Sequence, residues 1–165
     1  MKQCIALFLA LCMGLCLASC GQKTGGPEGT ENNQTTEIAN PFVDYASLEE
    51  AASSAGFRLN APDAVGGYSL RTIQVANEEM FQLIYANGSD TVTVRKIEGD
   101  ADISGDYNAY SQERLEVIGD LSVTLRGDAD LFKVATWQNK GFSYAVNADE
   151  ALSLETISAF ISAVK

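Results

Sequence analysis

The sequence has 165 residues, of which 22 are acidic and 11 are basic, and its formal net charge is −11. It contains no histidine, which excludes Ser-His-Asp and Cys-His catalysis as well as histidine-ligated zinc. The negative charge repels phosphate backbones, so we expect no nucleic-acid partner.

The chain starts with the features of a secretory signal peptide over residues 1–19. Lys2 precedes an uncharged apolar run at residues 5–17, which is shorter than the about 20 residues of a membrane-spanning helix. The run ends in Leu17-Ala18-Ser19-Cys20, which resembles the bacterial lipobox. This resemblance implies cleavage before Cys20 and a covalent diacylglycerol on its thiol. All four cysteines lie at or before position 20, so the rest of the chain has no thiol chemistry.

Residues 20–40 are predicted to form a flexible tether, because they are rich in Gly, Thr, Asn, Gln and Glu and have little apolar surface to bury. Loss of residues 1–19 removes one basic residue and no acidic one, so ten basic and 22 acidic residues leave a side-chain charge of −12. That charge repels anionic lipid headgroups. We therefore expect a lipid-anchored protein on the outer side of the cell membrane, held away from the lipid surface.

Residues 41–165 are predicted to form a single α+β domain. Ser47 and Glu50 have the spacing of a capping box for a helix over residues 48–54 that ends at Gly56. Apolar residues recur at helical spacing over residues 153–164, which predicts a second helix.

Between the helices, seven stretches have the apolar and β-branched patterns of strands. They are residues 68–76, 80–86, 91–97, 115–118, 121–126, 131–138 and 142–147. Hairpin turns are predicted at Asn87-Gly88-Ser89-Asp90, at Gly119-Asp120 and at Asn139-Lys140-Gly141. Hairpin-linked strands indicate an antiparallel sheet of about seven strands, with the N-terminal and C-terminal helices packed on it.

The polar stretch over residues 98–113 has a partial match to a calcium-binding loop. Counting from Asp100 places Asp102, Ser104 and Gly105 at positions 3, 5 and 6, but position 12 is Ser111 and not glutamate. The alternative is a polar connection in which Asp and Ser side chains bond the local backbone.

The sequence also contains residues for two further kinds of site. Asp128 with Asp130, or Asp106 with Glu113, are carboxylate pairs of the type that glycoside hydrolysis needs. The aromatic residues Trp137, Phe142 and Tyr144 lie on one predicted hairpin, where they either fill the core or form a binding face.

Several motifs follow one another in a recognisable order. Ile103-Ser104-Gly105-Asp106-Tyr107-Asn108 with Tyr110 precedes Val123-Thr124-Leu125-Arg126-Gly127, Ala135-Thr136-Trp137 and Gly141-Phe142-Ser143-Tyr144. This order resembles a domain family of unknown function from Gram-positive bacteria, found on lipoproteins and as extracytoplasmic parts of anti-sigma-like membrane proteins. The resemblance covers about residues 40–165. It implies the same location and architecture, and it brings no catalytic residues with it.

We therefore predict a non-enzymatic binding or sensor module, with no cofactor other than the lipid and no metal. Its partner would be an envelope protein, a peptide or a glycan. The candidate binding residues are Asp100, Asp102, Asp106, Tyr107, Asn108 and Tyr110. Two alternatives stay open, which are a carboxylate-dependent envelope hydrolase and a calcium-stabilised structural module.

Overall fold

The computed structural model describes residues 39–165. The predicted signal peptide, the predicted lipidation at Cys20 and the predicted tether as far as residue 38 lie outside the described residues. The elements in chain order are β1 (Phe42–Asp44), α1 (Leu48–Ala55), β2 (Ala64–Val65), β3 (Tyr68–Ala76), β4 (Met80–Asn87), β5 (Asp90–Glu98), β6 (Gln112–Ile118), β7 (Leu121–Asp128), β8 (Leu131–Asn139), β9 (Phe142–Ser153) and α2 (Leu154–Ala163).

Both predicted helices are confirmed, and serine residues begin them. The Ser47 hydroxyl accepts a hydrogen bond of 3.2 Å from the Glu50 amide at the start of α1. Gly56 ends α1 at φ +79°, a left-handed conformation that glycine adopts without strain. At the start of α2, the Ser153 hydroxyl accepts from the Thr156 amide at 3.2 Å. Neither helix of the described part is long and apolar enough to cross a membrane.

The strands of residues 39–165 form one antiparallel sheet, which confirms the predicted α+β class. The strand order is β1-β3-β4-β5-β9-β8-β7-β6, and β2 also pairs with β3. Two meanders, β3–β5 and β6–β9, are thus joined side by side through β5 and β9. The sheet has nine strands and not about seven, because the short strands β1 and β2 add to the edge at β3.

The hydrophobic core lies between the two helices and one face of the sheet. Side chains alternate between the faces of a strand, so every second residue of β4, β5, β7, β8 and β9 points into this core. The largest fully buried side chains are Tyr85, Phe81, Phe132, Phe160, Leu59, Leu83, Leu125, Ile157, Ile161, Val75, Val92 and Val94. Trp137 and Tyr144 stack in parallel with their ring centroids 5.1 Å apart, and both are 4% exposed. Of the two alternatives for the aromatic hairpin, Trp137 and Tyr144 therefore take the core position.

Lys96 is the charged residue of this core, and aromatic rings surround its ammonium group. Its Nζ atom donates to the Arg58 carbonyl at 2.6 Å and lies 4.4 Å from the centre of the Phe142 ring. The rings of Phe57 and Tyr144 are also within 6 Å of it. Burial lowers the pKa of Lys96. The rings and the carbonyl partly offset the cost of burying this charge.

Candidate binding surface

A long loop connects the middle of the sheet to its outer edge. Residues 99–111, which we call the crossing loop, lead from β5 to β6, and three other strands lie between these two in the sheet. The loop crosses them on the face opposite the helices, which we call the second face. Its first part is held by Ser143 Oγ, which donates to the Gly99 carbonyl at 3.0 Å, and by Gln138 Nε2, which donates to the Asp100 carbonyl at 3.0 Å.

Ser104 anchors the crossing loop to the sheet and is 2% exposed. Its carbonyl accepts hydrogen bonds from Arg95 Nη1 at 2.7 Å and from Asn147 Nδ2. Its hydroxyl accepts from Arg126 Nη2 at 2.9 Å. Three strands, β5, β9 and β7, therefore hold this one loop residue through long polar side chains.

Arg95 also ends a ladder of side-chain hydrogen bonds that runs across the other half of the second face. Gln74 Nε2 donates to Asp44 Oδ1, Gln82 Nε2 donates to Gln74 Oε1, and Arg95 Nε donates to Gln82 Oε1, each at 2.7 Å. Consecutive members are directly opposite each other in neighbouring strands. Burial lowers the pKa of Arg95. The ladder fixes the guanidinium that holds Ser104.

Asp102 stabilises the bend of the loop just before Ser104. Its Oδ1 accepts from the Ser104 amide at 2.8 Å, and its Oδ2 lies 3.7 Å from Arg126 Nη2. Partial burial raises the pKa of Asp102, but the hydrogen bonds from Ser104 and the charge of Arg126 outweigh it. The net result is a pKa below the ordinary value.

Asp106 organises the second half of the loop in the same way. It accepts hydrogen bonds from the Asn108 amide at 3.0 Å, from Asn108 Nδ2 at 3.2 Å and from the Tyr110 hydroxyl at 2.8 Å. Desolvation raises its pKa, but these hydrogen bonds and the charge of Arg126 together lower it by more, so the pKa of Asp106 lies below the ordinary value. Tyr107 projects from this hydrogen-bonded turn and is 97% exposed.

The structure thus separates the six predicted binding residues into three groups. Asp106, Asn108 and Tyr110 come together around one carboxylate, Asp102 faces Ser104 and Arg126, and Asp100 is exposed at the start of the loop. Tyr107 extends into solvent from the turn around Asp106, the first of these groups. Asp and Ser side chains bond the local backbone, as the polar-connection alternative predicts.

Neither the calcium alternative nor the hydrolase alternative gains support from these positions. Within residues 39–165, no group of three or more His, Cys, Asp or Glu side chains is placed to hold a metal ion. Asp128 accepts two hydrogen bonds from Ser111, which lower its pKa. The pKa values of the Asp102, Asp106 and Asp128 carboxyl groups are all lowered, whereas a carboxyl group that acts as a general acid at neutral pH needs a raised pKa.

Beside the crossing loop, the second face forms an open groove of about 380 Å³. Thr124 and Thr136, directly opposite each other in β7 and β8, line its floor. Leu115 of the edge strand β6 stands opposite Thr124 on one side, and Asp100 and Asp102 of the loop form the other side. The groove therefore combines an apolar wall, a hydroxyl floor and an acidic wall.

Sequence reasoning identified the acidic wall of this groove but missed its floor and its apolar wall. Thr124, Thr136 and Ser122 occupy ordinary polar positions of half-exposed strands, which gave them no distinguishing signal. Leu115 and Val117 carried a signal, because they alternate with the charged residues Arg114 and Glu116. The sequence predicts a strand over residues 115–118 without assigning its faces, and both apolar side chains are exposed, by 69% and 76%.

Comparisons with known proteins give no family for this chain: no family model, no curated protein and no solved structure matches it. The resemblance to the domain family of unknown function, drawn from residues 103–144, stays a prediction.

Proposed function

We propose that this protein is a membrane-anchored extracytoplasmic lipoprotein that binds a cationic peptide segment without catalysing a reaction. The observation that carries the proposal is the groove on the second face, where an acidic wall, with Asp102 held by hydrogen bonds, lies opposite an exposed apolar one. A segment with basic and apolar side chains complements both walls, and the excess of acidic residues attracts it from a distance.

The acidic wall is suited to binding because the fold fixes it before a ligand arrives. Asp102 is positioned by Ser104, which Arg95, Arg126 and Asn147 hold in place. A wall that is already ordered loses little conformational entropy when it binds. The lowered pKa of Asp102 keeps the carboxylate charged over the whole neutral range.

A peptide fits this surface better than a glycan does. Sugar recognition commonly uses an exposed aromatic ring. Trp137 and Tyr144 border the groove, but each is only 4% exposed and belongs to the hydrophobic core. Tyr107 is exposed on the far part of the crossing loop and does not line the groove. Hydroxyl groups on the floor can instead bond the amide groups of an extended backbone.

Fluorescence anisotropy with dye-labelled pentalysine, with pentaglutamate as the charge control, tests the proposal. We expect the full chain to bind pentalysine and not pentaglutamate. Thr136→Arg, which adds a cation and fills the groove floor, should weaken binding about tenfold or more. Ser53→Arg adds the same charge on the exposed side of α1 and should have a much smaller effect. Equal losses in both variants would show that binding reflects net charge alone and would refute a localised site.

A further inference from the structure

The sheet has two unlike edges. One edge is β1, which is only three residues long. The other edge is β6, which has seven residues, pairs with β7 on one side and has no strand of the described chain on the other. Leu115 and Val117 of this strand are 69% and 76% exposed. A long edge strand with exposed apolar side chains is a template for pairing with another strand.

The sequence of β6 is complementary to itself. In an antiparallel pair related by a two-fold axis through Leu115, each Leu115 lies opposite its copy and Arg114 lies opposite Glu116 of the second copy. The same register places Gln112 opposite Ile118 and Glu113 opposite Val117, so all seven residues of both strands take part in the backbone pairing. Opposite charges and apolar side chains that face each other across strands are stabilising.

Other symmetric registers are worse. Residues directly opposite each other share a face of the sheet, so the axis must pass through a residue and not between two residues. An axis through Arg114 sets two arginines against each other, and an axis through Glu116 sets two glutamates against each other. Both also shorten the pairing. The register centred on Leu115 is thus selected by charge and by overlap together.

The charged pair is already arranged for this contact. Arg114 Nε lies 2.9 Å from Glu116 Oε1, although without the alignment of a hydrogen bond. Arg114 Nη1 donates to Asp130 Oδ1 at 3.2 Å, and the guanidinium lies 4.7 Å from the centre of the Phe132 ring. Two such pairs would form a cluster of four charges with alternating sign on the helix side of the joined sheet.

We propose that β6 pairs with β6 of a second copy of this chain, which joins two sheets into one through an antiparallel register centred on Leu115. The symmetry places both grooves on the same side of the joined sheet. Between them the two Leu115 side chains face each other, and each Val117 lies opposite Glu113 and diagonal to Leu115 of the second copy. Seven paired residues form a small contact compared with a standard protein interface, which buries about 1,200–2,000 Å². The dimer is therefore reversible.

Co-purification of two differently tagged full chains, co-expressed and extracted in excess detergent, measures this pairing without any ligand. We expect the wild-type copies to co-purify. Leu115→Lys, which sets two cations against each other, should reduce the co-purified fraction to background. Val43→Lys changes another exposed apolar residue, 55% exposed on the opposite edge strand, and should leave the fraction unchanged.

A charge exchange provides the sharper test, because it separates pairing between copies from effects inside one copy. Arg114→Glu alone and Glu116→Arg alone each set like charges across the axis, and each should weaken self-association about tenfold or more. A mixture of the two single variants restores opposite charges at both positions and should co-purify.

Several outcomes would overturn the inference. They are wild-type copies that fail to co-purify, a Leu115→Lys variant that behaves as wild type, loss of pairing in Val43→Lys, and a mixed pair that stays apart although circular dichroism shows both variants folded. If a charge variant does not fold, the comparison of Leu115→Lys with Val43→Lys decides. Because the assay contains no peptide, its failure would not affect the ligand proposal.

Discussion

Replacement of Arg95 by methionine should release the crossing loop from the sheet. Arg95 supplies a donor to the side chain of Gln82 and to the carbonyls of Ile103 and Ser104. Methionine keeps the aliphatic part of the side chain but has no hydrogen-bond donor. The side-chain oxygen of Gln82 and the carbonyl of Ile103 therefore lose the bond from Arg95. Ser104 keeps a donor in Asn147. Each unsatisfied buried acceptor costs about 1–3 kcal/mol, so we expect the two together to lower the unfolding free energy by about 2–6 kcal/mol.

Urea unfolding followed by Trp137 fluorescence and far-ultraviolet circular dichroism measures this loss. The slope of the free energy against urea concentration should change little, because the buried core remains the same. Amide hydrogen exchange should show faster exchange at Ser104 and Asp106 than in the wild type, since the loop opens locally. A loss below about 0.5 kcal/mol, with Ser104 still protected, would refute the role of Arg95 as the loop anchor.

Three further predictions follow from single residues. Gly127→Ala should destabilise the fold by about 2–4 kcal/mol in urea unfolding, because a Cβ atom there would overlap the Leu131 carbonyl oxygen at the irregular step between β7 and β8. The lowered pKa of Asp106 means that its stabilising contribution is present above the ordinary pKa of 3.8 and is lost as the pH falls towards the folded-state value. The difference in unfolding free energy between wild type and Asp106→Asn should therefore be constant above about pH 5 and shrink below about pH 4. Cys20→Ser should move the protein from the membrane fraction to the soluble fraction and abolish labelling with a clickable palmitate analogue.

Each of these predictions has a contrary result. Wild-type stability of Gly127→Ala would mean that the two strands can shift apart at low cost. A difference for Asp106→Asn that does not change with pH would show that its carboxylate is not stabilised in the fold. Membrane retention and lipid labelling of Cys20→Ser would contradict the lipobox interpretation.

Local signals predicted much of the fold. Ser47 and Gly56 mark the two ends of α1 and could be recognised from the sequence alone. The glycines of the three predicted hairpin turns, Gly88, Gly119 and Gly141, all have positive φ. The pairing of β5 with β9 could not be predicted from local signals, because 43 residues separate the end of β5 at Glu98 from the start of β9 at Phe142. The short strands β1 and β2 form only because β3 is present to pair with them.

The candidate site was predicted only in part, for a related reason. The acidic loop stood out by composition, but its attachment to the sheet depends on Arg95, Arg126 and Asn147. In sequence, these three resemble ordinary solvent-facing residues of alternating strands. Their function as anchors exists only because the chain connects β5 to the far edge and must cross the second face. The groove, and with it the position of Thr124 and Thr136 on its floor, results from that topology.

The most direct test of the proposed function is the location of bound peptide on the surface. Amide chemical shifts of the ¹⁵N-labelled protein, recorded during titration with pentalysine, report this location residue by residue. We predict that the largest changes cluster at Asp102, Leu115, Thr124 and Thr136, and that Glu49 on α1 changes little. Changes spread evenly over the acidic surface, or centred on α1, would contradict the account.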